Sequence, residues 1–104
     1  MYLFTDIEAP KVCFIIQTRT KRDGDDNSWS LGSCTSHNTY ESDREYSQLC
    51  CMSHGSYVLN CKDSDGDGWQ GGYVTIQGNK YCESFRSGFE KNESVQVTSG
   101  MKIE

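Results

Sequence analysis

Three aspartates alternate in one short segment of this 104-residue chain, at Asp63, Asp65 and Asp67, and two glycines, Gly66 and Gly68, stand among them. Calcium takes about six to eight oxygen ligands in proteins, and carboxylates are prominent among them. Glycine tolerates the positive φ angles of a sharply curved loop, in which alternate side chains can converge on one point. Without a cation, three clustered carboxylates repel one another. The spacing therefore predicts a Ca²⁺ site in this loop.

The loop does not continue as an EF-hand. In that motif a bidentate glutamate closes the loop, but the corresponding position, counted from Asp63, is Val74. The remaining ligands would come from backbone carbonyls, water or a second loop, for which Asp25, Asp26 and Asn27 are the best candidates. Two alternatives stay open: an ion-free turn, because Asp and Gly are common turn formers, or another metal. Oxygen ligands without converging His or Cys disfavour zinc and copper.

Trp69 and Gln70 follow the aspartates directly and are candidate ligand-binding residues. An exposed Trp69 would stack on a sugar ring or enter a pocket of a partner protein. The alternative that we favour is a Trp69 that closes one end of the hydrophobic core. Trp29 is expected in the core, because it alternates with Leu31 in a segment that has the pattern of a strand.

Six cysteines supplement a chain that is only 35% hydrophobic. An even number of cysteines in a short chain is typical of a disulfide framework, and no Cys or His spacing indicates a zinc site. Each bridge would stabilise the fold by about 2–4 kcal/mol, mainly by restricting the unfolded chain. The six residues are Cys13, Cys34, Cys50, Cys51, Cys61 and Cys82.

The six cysteines can pair in about 15 ways. A bridge between Cys61 and Cys82 would clamp the Asp-rich loop, because one residue precedes the loop and the other follows it in the next hairpin. The adjacent Cys50 and Cys51 point to opposite faces if their backbone is extended, so they need different partners. The preferred assignment is Cys61–Cys82, Cys34–Cys50 and Cys13–Cys51.

The disulfide framework predicts an oxidising, extracellular compartment. Asn92 begins an Asn-Glu-Ser sequon for N-glycosylation, which fits a secreted protein. The first residues lack the blocks of a signal peptide, so we expect a leader already removed or a domain from a longer secreted chain. No apolar run approaches the roughly 20 residues of a transmembrane helix. The net charge of −5 argues against nucleic acid as a partner, because binding phosphates requires a basic surface.

Strand patterns dominate the chain. Residues 11–20 have two largely apolar faces, one of them formed by Val12, Phe14, Ile16 and Thr18, and are expected to form a central strand. Helical periodicity with caps is missing throughout the sequence. Further strands are predicted at 28–32, 57–62, 73–77, 80–85 and 93–98. The segment 35–47 is predicted as a loop with one strand-like stretch, and turns are predicted at 23–27 and 78–79.

These patterns predict an all-β fold, namely a disulfide-stapled antiparallel β-sandwich of about 6–8 short strands. Residues 1–10 are expected to be an N-terminal extension or a first edge strand. Residues 11–104 are expected to form a single domain, because a chain of this length has room for one core.

The segment from Cys61 to Gly72 reads C-K-D-S-D-G-D-G-W-Q-G-G. It resembles the DS-x-GDGW-x-G signature of a group of extracellular, cysteine-containing β-sandwich modules found in secreted multi-domain proteins. The pattern usually has an aromatic residue at the position of Asp65. The resemblance implies a module of surface, adhesive or matrix proteins without known catalysis, similar in outline to calcium-stabilised CUB domains. Supporting similarity occurs at 28–34, at Tyr46, at Cys50 and Cys51, at 55–59, and at Tyr81, Cys82, Phe85 and Gly88.

Catalysis is not expected, because the sequence shows no nucleophile beside a histidine and little room for a substrate cleft. The leading expectation is a calcium-dependent recognition or adhesion module whose loop contacts a glycan or an extracellular protein. The first alternative is a structural subunit that self-assembles through its sheet edges into a filament, coat or matrix, with calcium only stabilising the fold. The second alternative is a small secreted toxin or inhibitor, which shares the size and the cysteine density.

Overall fold

The computed structural model describes residues 11–36 and 39–102 of the chain. The predicted N-terminal extension or edge strand at residues 1–10 lies outside the described residues. Within the described ranges, the helical structure is the three-residue 3₁₀ helix Gly24–Asp26. No helix in this part of the chain is long and apolar enough to cross a membrane.

Two antiparallel four-stranded sheets form the described part of the chain, which confirms the predicted disulfide-stapled β-sandwich. Sheet A has the strand order β4-β1-β6-β7, and sheet B has the order β3-β2-β5-β8. The strands are β1 (Lys11–Arg19), β2 (Asn27–Leu31), β3 (Cys34–Thr35), β4 (Glu45–Ser53), β5 (Gly55–Asp63), β6 (Tyr73–Ile76), β7 (Asn79–Tyr81) and β8 (Glu90–Val97).

β1 is a central strand of sheet A, as its two apolar faces predict, because β4 and β6 pair with its two edges. Its inward side chains are Phe14, Ile16 and Thr18, each no more than 1% exposed. Since successive side chains of a strand point to opposite faces, Ile15 and Gln17 lie on the outer face of sheet A.

Sheet B directs alternate residues of β2 and β5 into the same core. Trp29 and Leu31 are buried, as predicted, and Cys61 and Leu59 lie opposite them in the antiparallel register. This row of inward-facing residues includes one more pair, formed by the first residue of β2 and the last residue of β5.

Three disulfides join the six cysteines in the preferred assignment. Cys34–Cys50 links β3 to β4, Cys61–Cys82 links β5 to the residue after β7, and Cys13–Cys51 links β1 to β4. The first two connect sheet B to sheet A, so they hold the two layers of the sandwich together. In a chain with so few apolar residues, this covalent link between the layers restricts the unfolded state and stabilises the fold.

The segment 35–47, predicted as a loop with one strand-like stretch, contains the start of β4, which begins at Glu45 and continues to Ser53, beyond the predicted bounds. β4 pairs with β1 along its whole length, and this tertiary pairing stabilises a strand whose own residues are largely polar at its start. Tyr40, in the connection before it, is 2% exposed and stacks on Tyr46 with ring centroids 4.4 Å apart.

The β6–β7 hairpin turns one residue earlier than predicted. Gln77 and Gly78 occupy the turn with φ angles of 50° and 82°, and Asn79 already pairs with Ile76. A two-residue hairpin turn of type I′ requires positive φ at both central residues.

β7 is shorter than predicted and β8 is longer. β7 ends at Tyr81 because Cys82 adopts a left-handed φ of 63° and its sulfur bonds to Cys61 in the other sheet. β8 begins at Glu90, where the sequence is polar, because it pairs with β5 from that residue onward.

Candidate metal centre

The inner face of sheet B ends in two polar residues. Asn27 opens β2 and Asp63 closes β5, and the two lie directly opposite each other in the register. By strand alternation, Asn27 shares the inward face with Trp29, and Asp63 shares it with Cys61. Asn27 is 4% exposed and Asp63 is 1% exposed. An amide and a carboxyl group therefore occupy positions where the sheet otherwise places core side chains.

Several polar atoms at this end of the sandwich have no hydrogen-bond partner among the described residues. They are both amide atoms of Asn27, Oδ1 of Asp63 and Oδ1 of Asp67. Leaving a buried polar group unpaired costs about 1–3 kcal/mol, and more if it is charged. Because the large majority of buried polar atoms in folded proteins have a partner, in the protein or in ordered water, these three neighbouring residues have polar atoms available to bind water or a cation.

The loop after β5 brings Asp67 back to Asp63. The Asp67 backbone N–H donates a hydrogen bond to Asp63 Oδ2 at 2.8 Å. Gly66 and Gly68 have φ angles of 83° and 77°, which residues with a Cβ rarely adopt. A Cβ at position 68 would lie 2.6 Å from the Phe85 carbonyl oxygen. The two glycines therefore allow both the curvature and the close packing that place Asp67 beside Asp63.

Trp69 fixes this loop to the core. Its side chain is fully buried, its Nε1 donates to the Lys62 carbonyl at 2.8 Å, and its backbone N–H donates to the Phe85 carbonyl at 2.8 Å. The assignment of Trp69 as a ligand-binding residue is therefore corrected, because its ring is not accessible; the favoured alternative, a core position, is confirmed. Gln70 Nε2 donates to the Asp67 carbonyl at 2.8 Å, so its amide holds the loop from within.

Burial places the Asp63 carboxyl at an electrostatic disadvantage. The pKa of Asp63 is raised from 3.8 to about 6, and burial of the carboxyl group is the largest cause. The nearby carboxyl groups of Asp67 and Asp26 also raise it. The hydrogen bond from the Asp67 N–H opposes this rise, because it favours the charged form. One pKa unit corresponds to about 1.4 kcal/mol. Ionised Asp63 therefore destabilises the metal-free fold by on the order of 3 kcal/mol at neutral pH.

Asp26 lies at the margin of this cluster and connects the two loops. Ser64 Oγ donates to Asp26 Oδ1 at 3.1 Å, and the Ser64 N–H donates to the Asp26 carbonyl at 3.0 Å. The Asp26 side chain is half-buried, and its charge raises the pKa of Asp63. The turn at 23–27 thus reaches the same end of the sandwich as the Asp-rich loop.

Asp25 and Asp65 are not part of the cluster, although the sequence predicted both as ligands. Both side chains are exposed to solvent. Asp65 follows the inward Asp63 by two residues, but β5 ends at Asp63, so strand alternation no longer directs the later side chain inward. The structure brings together Asn27, Asp63 and Asp67, with Asp26 beside them.

The possible metal ligands of this cluster are not all carboxylates. In residues 11–36 and 39–102, no group of three or more His, Cys, Asp or Glu side chains is arranged to hold one metal ion. The cluster instead combines the carboxyl groups of Asp63 and Asp67 with the amide of Asn27. Calcium accepts carboxylate oxygens and amide oxygens together, usually with water, so the set suits a hard cation and offers no sulfur or imidazole for a softer one.

An open cleft of about 460 Å³ lies beside the cluster. Phe89, 66% exposed, forms part of its wall. The Phe89 ring lies against Gly66, where an added Cβ would be 2.7 Å from its Cζ, and the Phe89 carbonyl accepts the Asp63 N–H at 2.8 Å. The lining consists of Asp26, Ser28, Lys62, Asp63, Ser64, Phe89 and Glu90.

Sequence reasoning missed Phe89 and Glu90 as members of this cleft. They reach it through the pairing of β8 with β5, which joins residues distant in the chain and has no local signature. The one available signal was an aromatic residue directly after Gly88 in an otherwise polar segment.

The predicted glycosylation residue, Asn92, is exposed on β8. It lies opposite Asn60 of β5, whose side-chain amide nitrogen donates to the Asn92 amide oxygen. Modification at Asn92 stays a prediction.

Comparison with known proteins identifies no significantly similar protein. The chain matches no family model, and it shows no significant similarity to a curated protein or to a solved structure. The resemblance to the DS-x-GDGW-x-G modules therefore rests on the motif residues and stays a prediction.

Proposed function

We propose that this protein is a non-catalytic extracellular recognition module that binds Ca²⁺ between the start of β2 and the loop after β5. The observation that supports the proposal is the inward row of sheet B, which ends in Asn27 and Asp63. These buried side chains, together with Asp67, keep oxygen atoms without a partner in the described part of the chain.

The chemistry of the three side chains fits calcium. Asp63 Oδ1, Asp67 Oδ1 and the amide oxygen of Asn27 are hard oxygen donors, and two of them belong to acidic groups. A dication offsets the repulsion between the carboxylates of Asp63 and Asp67 and favours the ionised form that burial disfavours. Water and backbone carbonyls supply the rest of the coordination shell, as they do in other protein calcium sites.

In this proposal the ion shapes the neighbouring recognition surface. Asp63 touches Phe89 through its backbone N–H, and Gly66 of the same loop lies under the Phe89 ring. An ion that orders the loop therefore also fixes one wall of the cleft. Phe89 presents an apolar ring beside polar groups such as Ser28 and Glu90, a combination that favours a glycan, whose ring has an apolar face and hydroxyl groups at its rim.

The covalent framework supports the proposed extracellular compartment. Three disulfides in a small domain, with no cysteine left free in the described residues, fit an oxidising environment. Secretion is part of the proposal, and the Asn92 sequon supports it.

Calcium titration by calorimetry tests the metal site with a matched pair of variants from the same loop. Asp67→Ala and Asp65→Ala each remove one negative charge, but only Asp67 belongs to the cluster. We expect the wild type and Asp65→Ala to bind calcium with a Kd in the range of extracellular modules, about 10⁻⁴–10⁻³ M, and Asp67→Ala to lose binding. Equal binding by the two variants, or none by the wild type, would contradict the site.

Glycan-array binding tests the recognition role separately. Wild-type binding that disappears with a chelator, and that Phe89→Ala weakens while its calcium titration stays intact, supports the cleft as the glycan site. Array binding that Phe89→Ala leaves unchanged would contradict the cleft but not the calcium site.

A further inference from the structure

The two sheets have four edge strands, and three of them carry features that oppose pairing with another chain. β3 is two residues long and β7 is three residues long. β8 places Glu90, Lys91 and Glu93 along its length. β4 differs: it is nine residues long, contains no proline, and has no charged residue after Glu45.

The odd-numbered residues of β4 direct their backbone N–H and C=O groups away from β1. Cys13 and Cys51 lie opposite each other with Cα atoms 4.0 Å apart, close to the spacing of about 4.5 Å in a non-hydrogen-bonded antiparallel pair. At an even-numbered position of the same ladder, the Thr20 N–H bonds the Arg44 carbonyl at 2.9 Å. In the described part of the chain, Ser47, Leu49 and Cys51 therefore present their backbone groups at an open edge.

Leu49 adds an apolar side chain at the middle of this edge. It is 53% exposed, which makes it one of three large apolar side chains that face solvent in the described residues. It lies opposite Ile15 on the outer face of sheet A. An edge without charged residues after Glu45, with an exposed leucine at its centre, is a surface that another strand can extend.

We propose that two copies of this chain pair antiparallel through β4, about a twofold axis at Leu49. The two A sheets, of four strands each, would then form one continuous sheet. In this register Leu49 meets its own symmetry mate, and Ser47 lies opposite position 51 of the second copy. Such an isologous contact closes the assembly at two copies.

The charge pattern of β4 selects this antiparallel arrangement. Glu45 is the only charged residue of the strand and stands at its first position. In the antiparallel pair it lies opposite the Ser53 position, whereas a parallel pair would place two glutamates side by side, which is unfavourable. The pairing also shields Leu49 from water next to Ile15. The proposal does not depend on calcium, because the edge lies outside the metal cluster.

Sedimentation equilibrium of the full chain tests the proposal. The wild type should have about twice the chain mass of 11.8 kDa. Leu49→Lys, which places like charges against each other on the axis, should return the mass to that of one chain. Val58→Lys is the matched control, because Val58 is 56% exposed on β5, a central strand of sheet B; this variant should stay dimeric. A thermal melt of each variant verifies that it is folded.

Hydrogen exchange supplies a second, site-resolved readout. The amide protons of Leu49 and Cys51 should exchange more slowly as the wild-type concentration rises, while that of Val58 should not change. Several results would overturn the proposal: a wild type that stays monomeric at high concentration, equal dissociation by Leu49→Lys and Val58→Lys, or a monomer that dimerises only after residues 1–10 are removed. The last result would assign the edge to that segment.

Discussion

Two buried polar clusters lie in neighbouring layers of the same core, and they differ in how their hydrogen bonds are satisfied. In the first, Trp29 Nε1 donates to Thr18 Oγ1 and to the Tyr40 hydroxyl, each at 3.0 Å, and the Tyr40 hydroxyl donates to Thr18 Oγ1 at 3.1 Å. In the second, Asn27 and Asp63 keep atoms without partners among residues 11–36 and 39–102.

We propose that the difference separates a structural cluster from a ligand-binding site. Trp29 and Asn27 occupy successive inward positions of β2, so burial alone does not distinguish them. The first cluster contains only neutral groups, and burial raises the pKa of Tyr40 further above its ordinary value. The second contains acidic groups whose ionisation burial opposes. We therefore expect calcium to change the stability contributed by the second cluster and to leave that of the first unchanged.

The largest effect is expected from Asp63→Asn, and its sign should depend on calcium. With a chelator at pH 7.5 the variant should be more stable than the wild type by about 1–3 kcal/mol, because it removes a buried charge. With calcium at about 100 times Kd, the wild type should gain about 2.7 kcal/mol and the variant almost nothing. Chemical denaturation under the two conditions measures both differences. A variant that is less stable than the wild type under both conditions would contradict the ligand role.

The same carboxyl predicts an unusual dependence of stability on pH in the metal-free protein. The pKa of Asp63 is about 6 in the folded state against 3.8 as the ordinary value, so the unfolded state releases this proton first as the pH rises. The contribution of Asp63 to the free energy of unfolding is therefore fully present below about pH 3.8 and decreases as the pH rises to about 6. Above about pH 6 it stays lower than at acidic pH by up to about 3 kcal/mol.

Subtracting the denaturation free energies of Asp63→Asn from those of the wild type, in chelator, isolates this contribution from the other titrating groups. The difference should decline from pH 3.5 to pH 7. In the same range the calcium affinity of the wild type should rise and then level off above about pH 6, because the ion binds the ionised form. A difference in unfolding free energy that does not change with pH would show that the pKa of Asp63 is not raised in the folded state.

A smaller effect is expected in the satisfied cluster. Tyr40→Phe removes the hydroxyl that accepts from Trp29 and donates to Thr18, and it should destabilise the fold by about 1–2 kcal/mol. The loss should be the same with calcium and with chelator, as measured by denaturation in each. A loss that depends on calcium would remove the contrast between the two clusters.

Local patterns in the sequence predicted those parts of the fold that depend on alternation. The inward faces of β1 and β2 follow from their apolar period. Strand geometry predicts that Cys50 and Cys51 have different partners, and the preferred choice between those partners is the one observed. β4 could not be predicted at its full length, because its polar start becomes a strand only through pairing with β1.

The candidate site was also predictable only in part, because local patterns are visible in the sequence but the pairing of distant strands is not. The acidic loop and the second loop are visible in the sequence, and so is the curvature at Gly66 and Gly68. The opposition of Asn27 and Asp63 depends on the β2–β5 register, which joins distant segments. Without that register, the exposed Asp65 and the buried Asp63 look equivalent, although the structure gives them different environments.

The calcium site can be located directly in a crystal structure of the full chain grown with millimolar calcium, in which anomalous scattering identifies the ion. We expect an anomalous peak at about 2.3–2.6 Å from Oδ1 of Asp63 and Oδ1 of Asp67, with the Asn27 amide oxygen turned toward it. Water molecules at ordinary hydrogen-bond distances from these three side chains, without an anomalous peak, would contradict this expectation.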